Sequence, residues 1–179
     1  MKQDVIIAAE AVKGPRFALR PVRTSDAGLM ALYTADRRVA DMTRSIPHPL
    51  PPGSAEAFIE RVSTPASSER VWVMDASAFG GSELLGVVSL TQMDRNQAEI
   101  GYWIAPAMWN TGLASEAVRL LVEANPLGYA TIFGSVFQDN PASARVLTNA
   151  GFAYLGDAEA FSVARGAKAS TWTYLKQLD

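Results

Sequence analysis

Three short stretches carry the residue types that could do chemistry. The first is Trp109-Asn110-Thr111-Gly112-Leu113-Ala114-Ser115-Glu116-Ala117, between a segment that reads as a strand and one that reads as a helix. The first N–H groups of a helix have no partner inside it, and the helix dipole favours negative charge there. A strand, a small-residue turn and a helix start therefore make an anion site. Gly112 lets the backbone approach a phosphate closely, Ala114 and Ser115 keep the surface low, and Asn110 tolerates a left-handed backbone. The stretch is neither G-x-G-x-x-G nor a Walker A loop. Taken alone, it also reads as a plain turn.

The second stretch runs from Asn140 through Pro141, Ser143, Leu147 and Gly151 to Phe152. Asn140 suits an N-cap, Pro141 the first helical turn and Gly151 a C-terminal stop. Capping explains those positions, but Asn140 could equally give its side-chain amide to a ligand. Ser143 lies one turn further on, so both can face one cleft. The third stretch is Gln97 to Pro106, where alternation puts Ile100, Tyr102 and Ile104 on one face and Glu99, Gly101 and Trp103 on the other. Pro106 cannot donate to a ladder, so pairing is expected to fail near residues 105–106. A strand that splays from a parallel neighbour opens a wedge lined by free N–H and C=O groups.

The elements that must position these stretches follow from periodicity and punctuation. Strands are predicted at 17–22, 71–74, 84–90, 98–104, 131–137, 152–155 and 169–175, and helices at 24–33, from Ser54, at 112–124 and at 141–150. Four prolines within residues 45–53 forbid regular structure there. This order gives a mixed sheet with helices on its faces. The helix at 112–124 forms a crossover, so the strands on either side of it run parallel.

A chain of 179 residues suits one domain, 1–179, with 1–15 as a loose lead-in ending in Lys13-Gly14-Pro15. With 49% apolar and 19% charged residues it is globular in composition rather than disordered. A net charge of −2 without a basic stripe argues against nucleic acid as a partner. The absence of Cys excludes disulfides, zinc–thiolate sites and a Cys nucleophile, and no metal site is expected. No apolar run reaches about 18 residues, so no membrane span is expected, and the start lacks the apolar stretch of a signal peptide. The expected location is the cytoplasm.

In this order and spacing the three stretches resemble the GNAT superfamily of N-acetyltransferases, most of all the branch of the ribosomal-protein-alanine acetyltransferases. The likeness covers roughly residues 16–175, including the His-Pro loop at 47–49, and the combination is specific where each part alone is not. It implies an α+β fold: an αβα sandwich around a mixed, mostly antiparallel sheet of about seven strands, splayed between 98–105 and 131–137. It implies acetyl-CoA as cofactor and transfer of its acetyl group to a primary amine, a protein N-terminal α-amine or a small molecule, by direct attack in a ternary complex. By resemblance, backbone N–H groups of Asn110, Thr111, Gly112, Leu113, Ala114 and Ser115 hold the pyrophosphate. Trp103, Ile104 and Ala105 pair with the pantetheine arm, Asn140 contacts it, and Ser143 lies near the sulfur. A homodimer is allowed for.

The chain departs from the family pattern in two places. Asn110 replaces a Gly and Thr111 a basic or amide residue, while Leu147 stands where many relatives carry a Tyr general acid. Ser143 is then the candidate proton donor. An alkyl ammonium has a pKa near 10 and needs a base before it can attack. Glu99 is the candidate, since a partly buried carboxylate there would titrate higher than usual; the competing reading is a surface or salt-bridged Glu. His48, the only histidine, is the usual base near neutrality. Its proline-rich loop makes it instead a candidate for the acceptor pocket, with Arg44, Ile46 and Glu99. Segments 36–53 and 157–169 are expected to shape that side as loops. The alternative function is a non-catalytic acyl-CoA-binding domain of the same fold.

Overall fold

The computed structural model describes residues 11–179. The first ten residues of the expected lead-in lie outside them. One mixed sheet of eight strands forms the centre, in the order β1-β2-β3-β4-β5-β6-β8-β7. The strands are β1 (Val12–Lys13), β2 (Ala18–Pro21), β3 (Glu69–Asp75), β4 (Gly86–Met93), β5 (Gln97–Ile104), β6 (Thr131–Phe137), β7 (Ala153–Ser162) and β8 (Ala167–Gln177). Every neighbouring pair is antiparallel except β5 with β6. The eighth strand is β1: Val12 and Lys13 pair with Leu19 and Ala18, so the end of the expected loose lead-in is ordered.

Helices α1 (Ala27–Thr34), α2 (Arg37–Ala40), α3 (Ser54–Val62), α4 (Leu113–Ala124) and α5 (Pro141–Asn149) cover the faces. Strand alternation divides the apolar residues between two cores. Trp72, Val88, Leu90 and Ile100 face α4 and α5, which bury Leu113, Val118, Leu121 and Leu147 against them. Val71, Val73 and Val87 face α1 and α3, which bury Met30, Ile59 and Val62. Fully burying one such side chain stabilises the fold by about 1.5–3 kcal/mol. None of the described helices is long and apolar enough to cross a membrane.

Arg20 on β2 joins the sheet to the start of α1. Its guanidinium donates two bonds to Asp26, at 2.7 and 2.9 Å, and one to Asp75 on β3 at 2.7 Å. The bonds to Asp26 outweigh burial and raise the guanidinium's pKa further. A buried charge of this kind is tolerated because its donors are met by a matching fork of oxygens.

The splay is present, but Pro106 does not cause it. β5 pairs with β6 only from Gln97 to Ile100, opposite Thr131 to Gly134. On its other side β5 stays paired with β4 through Ile104, and the Ala105 N–H still donates to Leu85 C=O at 2.9 Å. Side chains pack closely at the parting. Leu147 is fully buried and stands 2.7 Å from where a Cβ on Gly134 would lie. Tyr102 of β5 also reaches across toward α5. The expected loop at 157–169 is a long hairpin instead: β7 and β8 pair from Ala153 to Ala167, leaving only residues 163–166 as the turn.

Candidate active site

Two cavities meet at the splay. The larger, about 380 Å³, lies beside the start of α4 and is lined by Asn110 to Ser115, Ile104, Arg38 and the α5 residues Ala142, Arg145 and Val146. Asn110 (φ 63°) and Gly112 (φ 79°) both take the left-handed conformation, which turns the chain into α4. From Asn110 to Ser115 no backbone N–H donates to another protein atom among the described residues; the first to do so is Glu116, to Gly112 C=O at 3.1 Å. Six successive free donors at a helix start make a strong anion cradle. Arg16 braces it from behind, donating to Thr111 C=O at 3.0 Å and pairing with Glu116 at 2.6 Å. Trp109 donates its indole N–H to Ile104 C=O at 2.8 Å, with the Arg38 guanidinium 5.3 Å above its ring.

The second cavity, about 260 Å³, lies on the α1–α3 side of the splay. Glu69, Ser89, Thr91, Glu99 and Gly101 line its sheet wall, Ser135 and Thr171 its far side, and Met42 to Ile46 with Phe58 its roof. Arg44 from the roof makes an ion pair with Glu99. Burial pushes the Arg44 guanidinium below its ordinary value. Burial also raises the Glu69 carboxyl, against the weaker pull of Arg61 at 4.0 Å. The roof is tied down by the β7–β8 turn. Ser162 Oγ donates to Thr43 C=O at 3.2 Å, Val163 N–H to Arg44 C=O at 3.0 Å and Arg165 Nε to Asp41 C=O at 2.8 Å. Arg165 also forks onto Asp139 at 2.6 and 3.0 Å, and that bond holds the Asp139 carboxyl below its ordinary value.

Both cavities are lined by Tyr102, Trp103, Asn140 and Ser143. Tyr102 OH lies 2.8 Å from Ser143 Oγ and donates to Ser143 C=O at 3.0 Å. Burial drives its pKa well above the ordinary tyrosine value, so the phenol keeps its proton. Asn140 caps α5 with its side-chain carbonyl, accepting from Ser143 N–H at 3.3 Å. Its amide N–H groups have no protein partner among the described residues and remain available to a ligand.

The GNAT acetyltransferase domain family matches residues 16–153. The chain belongs to this family. A curated relative, the uncharacterized N-acetyltransferase YoaA of Bacillus subtilis (strain 168), is 43% identical over 75 residues, or 39% of this chain and 42% of that protein. The match thus spans less than half of that relative's length. The ribosomal-protein-S5-alanine acetyltransferase of Vibrio fischeri superposes with a TM-score of 0.78 at 20% identity, covering 95% of this chain and 97% of that one. The spermidine N-acetyltransferase of Vibrio cholerae, solved with CoA and spermine, gives 0.76 at 17% identity, covering 92% and 96%. At these identities the likeness is one of fold.

Against the GNAT pattern, the structure brings most of the expected residues together. Asn110 to Ser115, Trp103, Ile104, Asn140 and Ser143 line one cavity, and Arg44 and Glu99 the other. Ala105 is a correction: it is 2% exposed, lines neither cavity, and its N–H is taken by Leu85. Because strand groups alternate in direction, the backbone of Tyr102 and Ile104, rather than that of Trp103 or Ala105, turns toward the wedge. His48 lines neither cavity. Glu99 is paired with Arg44, which matches the salt-bridged reading that stood beside its candidacy as the base. Tyr102 is the residue that sequence reasoning missed. Its alternation marked the face correctly, but its partner Ser143 lies 41 residues away.

Proposed function

We propose that this GNAT domain, working as a single cytoplasmic unit over residues 1–179, moves an acetyl group from acetyl-CoA to a primary amine by direct attack in a ternary complex. The observation that carries the reading is the row of free N–H groups from Asn110 to Ser115, opening onto the wedge where Tyr102, Asn140 and Ser143 join the two cavities. The cradle fits a pyrophosphate: its donors are backbone groups, and Gly112 has no side chain in the way. Arg145, which has no ion-pair partner among the described residues, adds positive charge along the same cavity, while Arg38 beside it is forked onto Asp36. Bound there, acetyl-CoA supplies an activated thioester.

The chain's own groups then divide the work. The N–H groups of Tyr102 and Ile104 face the wedge and hold the pantetheine arm, with the Asn140 amide beside it. One of these N–H groups stabilises the negative charge that grows on the carbonyl oxygen. Glu99, in the second cavity, takes the proton from the incoming ammonium once that cation competes with Arg44 for it. Ser143 Oγ gives a proton to the departing sulfur. Tyr102 lies behind it at 2.8 Å and holds its hydroxyl in place. This pair occupies the role left open by Leu147, whose side chain is committed to packing on Gly134. It favours catalysis over the non-catalytic acyl-CoA-binding alternative.

Thermal unfolding with and without acetyl-CoA tests the cofactor, and thiol release in the presence of amines tests the transfer. Ligand at about 100 times its dissociation constant adds about 2.7 kcal/mol, a rise of several degrees at this size. No rise with acetyl-CoA or CoA would sink the proposal.

A further inference from the structure

The acceptor cavity contains one polar group that the fold leaves unsatisfied. Thr171 is 2% exposed and lines the cavity, yet its hydroxyl has no hydrogen-bond partner among the described residues. Buried hydroxyls are rarely left in that state, so this one is poised for something the cavity receives. It sits on β8 opposite Phe137, on the sheet face it shares with Ser135 and Glu99. A buried hydroxyl in the lining can read the far end of a bound molecule.

The near end is set by charge. Arg44 and Glu99 form an ion pair that lines the cavity itself, with the guanidinium partly desolvated. The third charged lining residue, Glu69, is faced by Arg61. The lining holds one guanidinium and two carboxylates, a surplus of one negative charge that Arg61 offsets from outside the cavity. A polycation brings several ammonium groups, each needing a counter-charge once it leaves water, more than this surplus supplies. A guanidinium beside a carboxylate complements a guest with both signs on neighbouring atoms. The roof adds a size limit: residues 41–44 are strapped to the β7–β8 turn by three hydrogen bonds, over a volume of about 260 Å³. That closure suits a small molecule better than a polypeptide tail.

We propose that the acceptor is a free α-amino acid with a polar side chain, bound as its zwitterion. This rests on the acetyl-transfer reading above. The ammonium displaces Arg44 from Glu99, the carboxylate takes the released guanidinium, and the side chain meets the Thr171 hydroxyl. Glu99 accepts one ammonium proton and passes it to solvent. The freed lone pair forms the N–C bond, the C–S bond breaks, and the sulfur leaves with a proton from Ser143. The second proton lost by nitrogen restores Ser143. The products are an N-acetyl amino acid, a free thiol and one proton.

The test is thiol release with L-serine and L-glutamine, their methyl esters, ethanolamine, spermidine and the tripeptide Ser-Gly-Gly. The acetyl-CoA thermal rise is measured in the same preparation. The free amino acids are expected to exceed their esters at least tenfold in kcat/KM. Arg44→Gln should bring that ratio to within twofold while ester turnover survives. Thr171→Val, a near-isosteric change, should raise KM about tenfold for serine and glutamine and leave that of L-alanine, added to the panel as the control without a polar side chain, unchanged. Equal rates on acids and esters, or a preference for spermidine or the tripeptide, overturns the proposal. So does a normal acetyl-CoA rise in a protein that neither acetylates free amino acids nor gains stability from them; acetyl transfer to another amine survives that result. Absence of the acetyl-CoA rise defeats the transfer reading itself.

Discussion

The cavity at the start of α4 presents mainly backbone to its ligand: a run of free N–H groups set by two left-handed residues, Asn110 and Gly112. The cavity over β3 to β5 presents side chains: carboxylates, a guanidinium and hydroxyls from seven separate segments. A backbone site depends on chain direction and tolerates most substitutions, since every residue but proline carries the same N–H. A side-chain site depends on identities brought together from distant positions. The first therefore serves one constant ligand across many sequences, while the second can be rewritten residue by residue.

The sharpest separation should come from Glu99→Gln. Loss of the base is expected to lower acetyl transfer by roughly 100-fold or more at every pH, while the acetyl-CoA thermal rise stays intact. Turnover equal to the wild type would remove Glu99 from the role. Gly112→Val should do the reverse. A β-branched residue at φ 79° is strained by about 1–2 kcal/mol and closes the cradle, so the acetyl-CoA rise should vanish. A full rise would show that the cradle is not the cofactor site.

Tyr102→Phe tests the junction. Stopped-flow turnover should fall by roughly 10- to 100-fold in kcat, short of the full effect of a catalytic acid, with the acetyl-CoA KM little changed. A KM effect alone would make Tyr102 a packing residue. The smallest effect belongs to Glu69→Gln. Burial raises the Glu69 carboxyl, so the folded state binds its proton more readily than the unfolded one, and the charged group lowers stability once pH exceeds its unfolded value. The variant should melt at or above the wild-type temperature at pH 7, by less than about 1 kcal/mol, with no difference at pH 4. A clear destabilisation at pH 7 would show that Glu69 works through an ion pair with Arg61 instead.

The same contrast explains what could be read from the sequence. The anion loop, the helix after it, the Asn140 cap and the mixed sheet all rest on local rules of spacing and punctuation, and all are present. The start of the splay was placed at Pro106 because proline is the visible local breaker. Its actual position is after Ile100, beside the packing of Leu147 on Gly134, residues 13 apart in sequence on two different elements. The family resemblance places Ala105 at the wedge, whereas strand alternation turns its N–H to Leu85. The Tyr102–Ser143 and Arg44–Glu99 pairs join distant segments and leave no local mark. The hairpin at the chain's end lacked a signal because most of β7 is solvent-exposed, without the apolar alternation that identifies a strand.

The strap between Asp41–Arg44 and Ser162–Arg165 makes the acceptor roof a joint product of two segments, with Ser162 and Thr43 standing 119 residues apart. The accepting groups are main-chain carbonyls, which any loop supplies, but two of the three donors are the side chains of Ser162 and Arg165. A loop transplanted into 41–46 keeps its hold only where its backbone follows the same path, and a new turn has to bring donors of its own. On the acetyl-transfer proposal, substrate preference is then inherited as a pair. A lineage that changes its acceptor should alter both segments together, and a chimera intended to transfer specificity has to carry both ends of the strap.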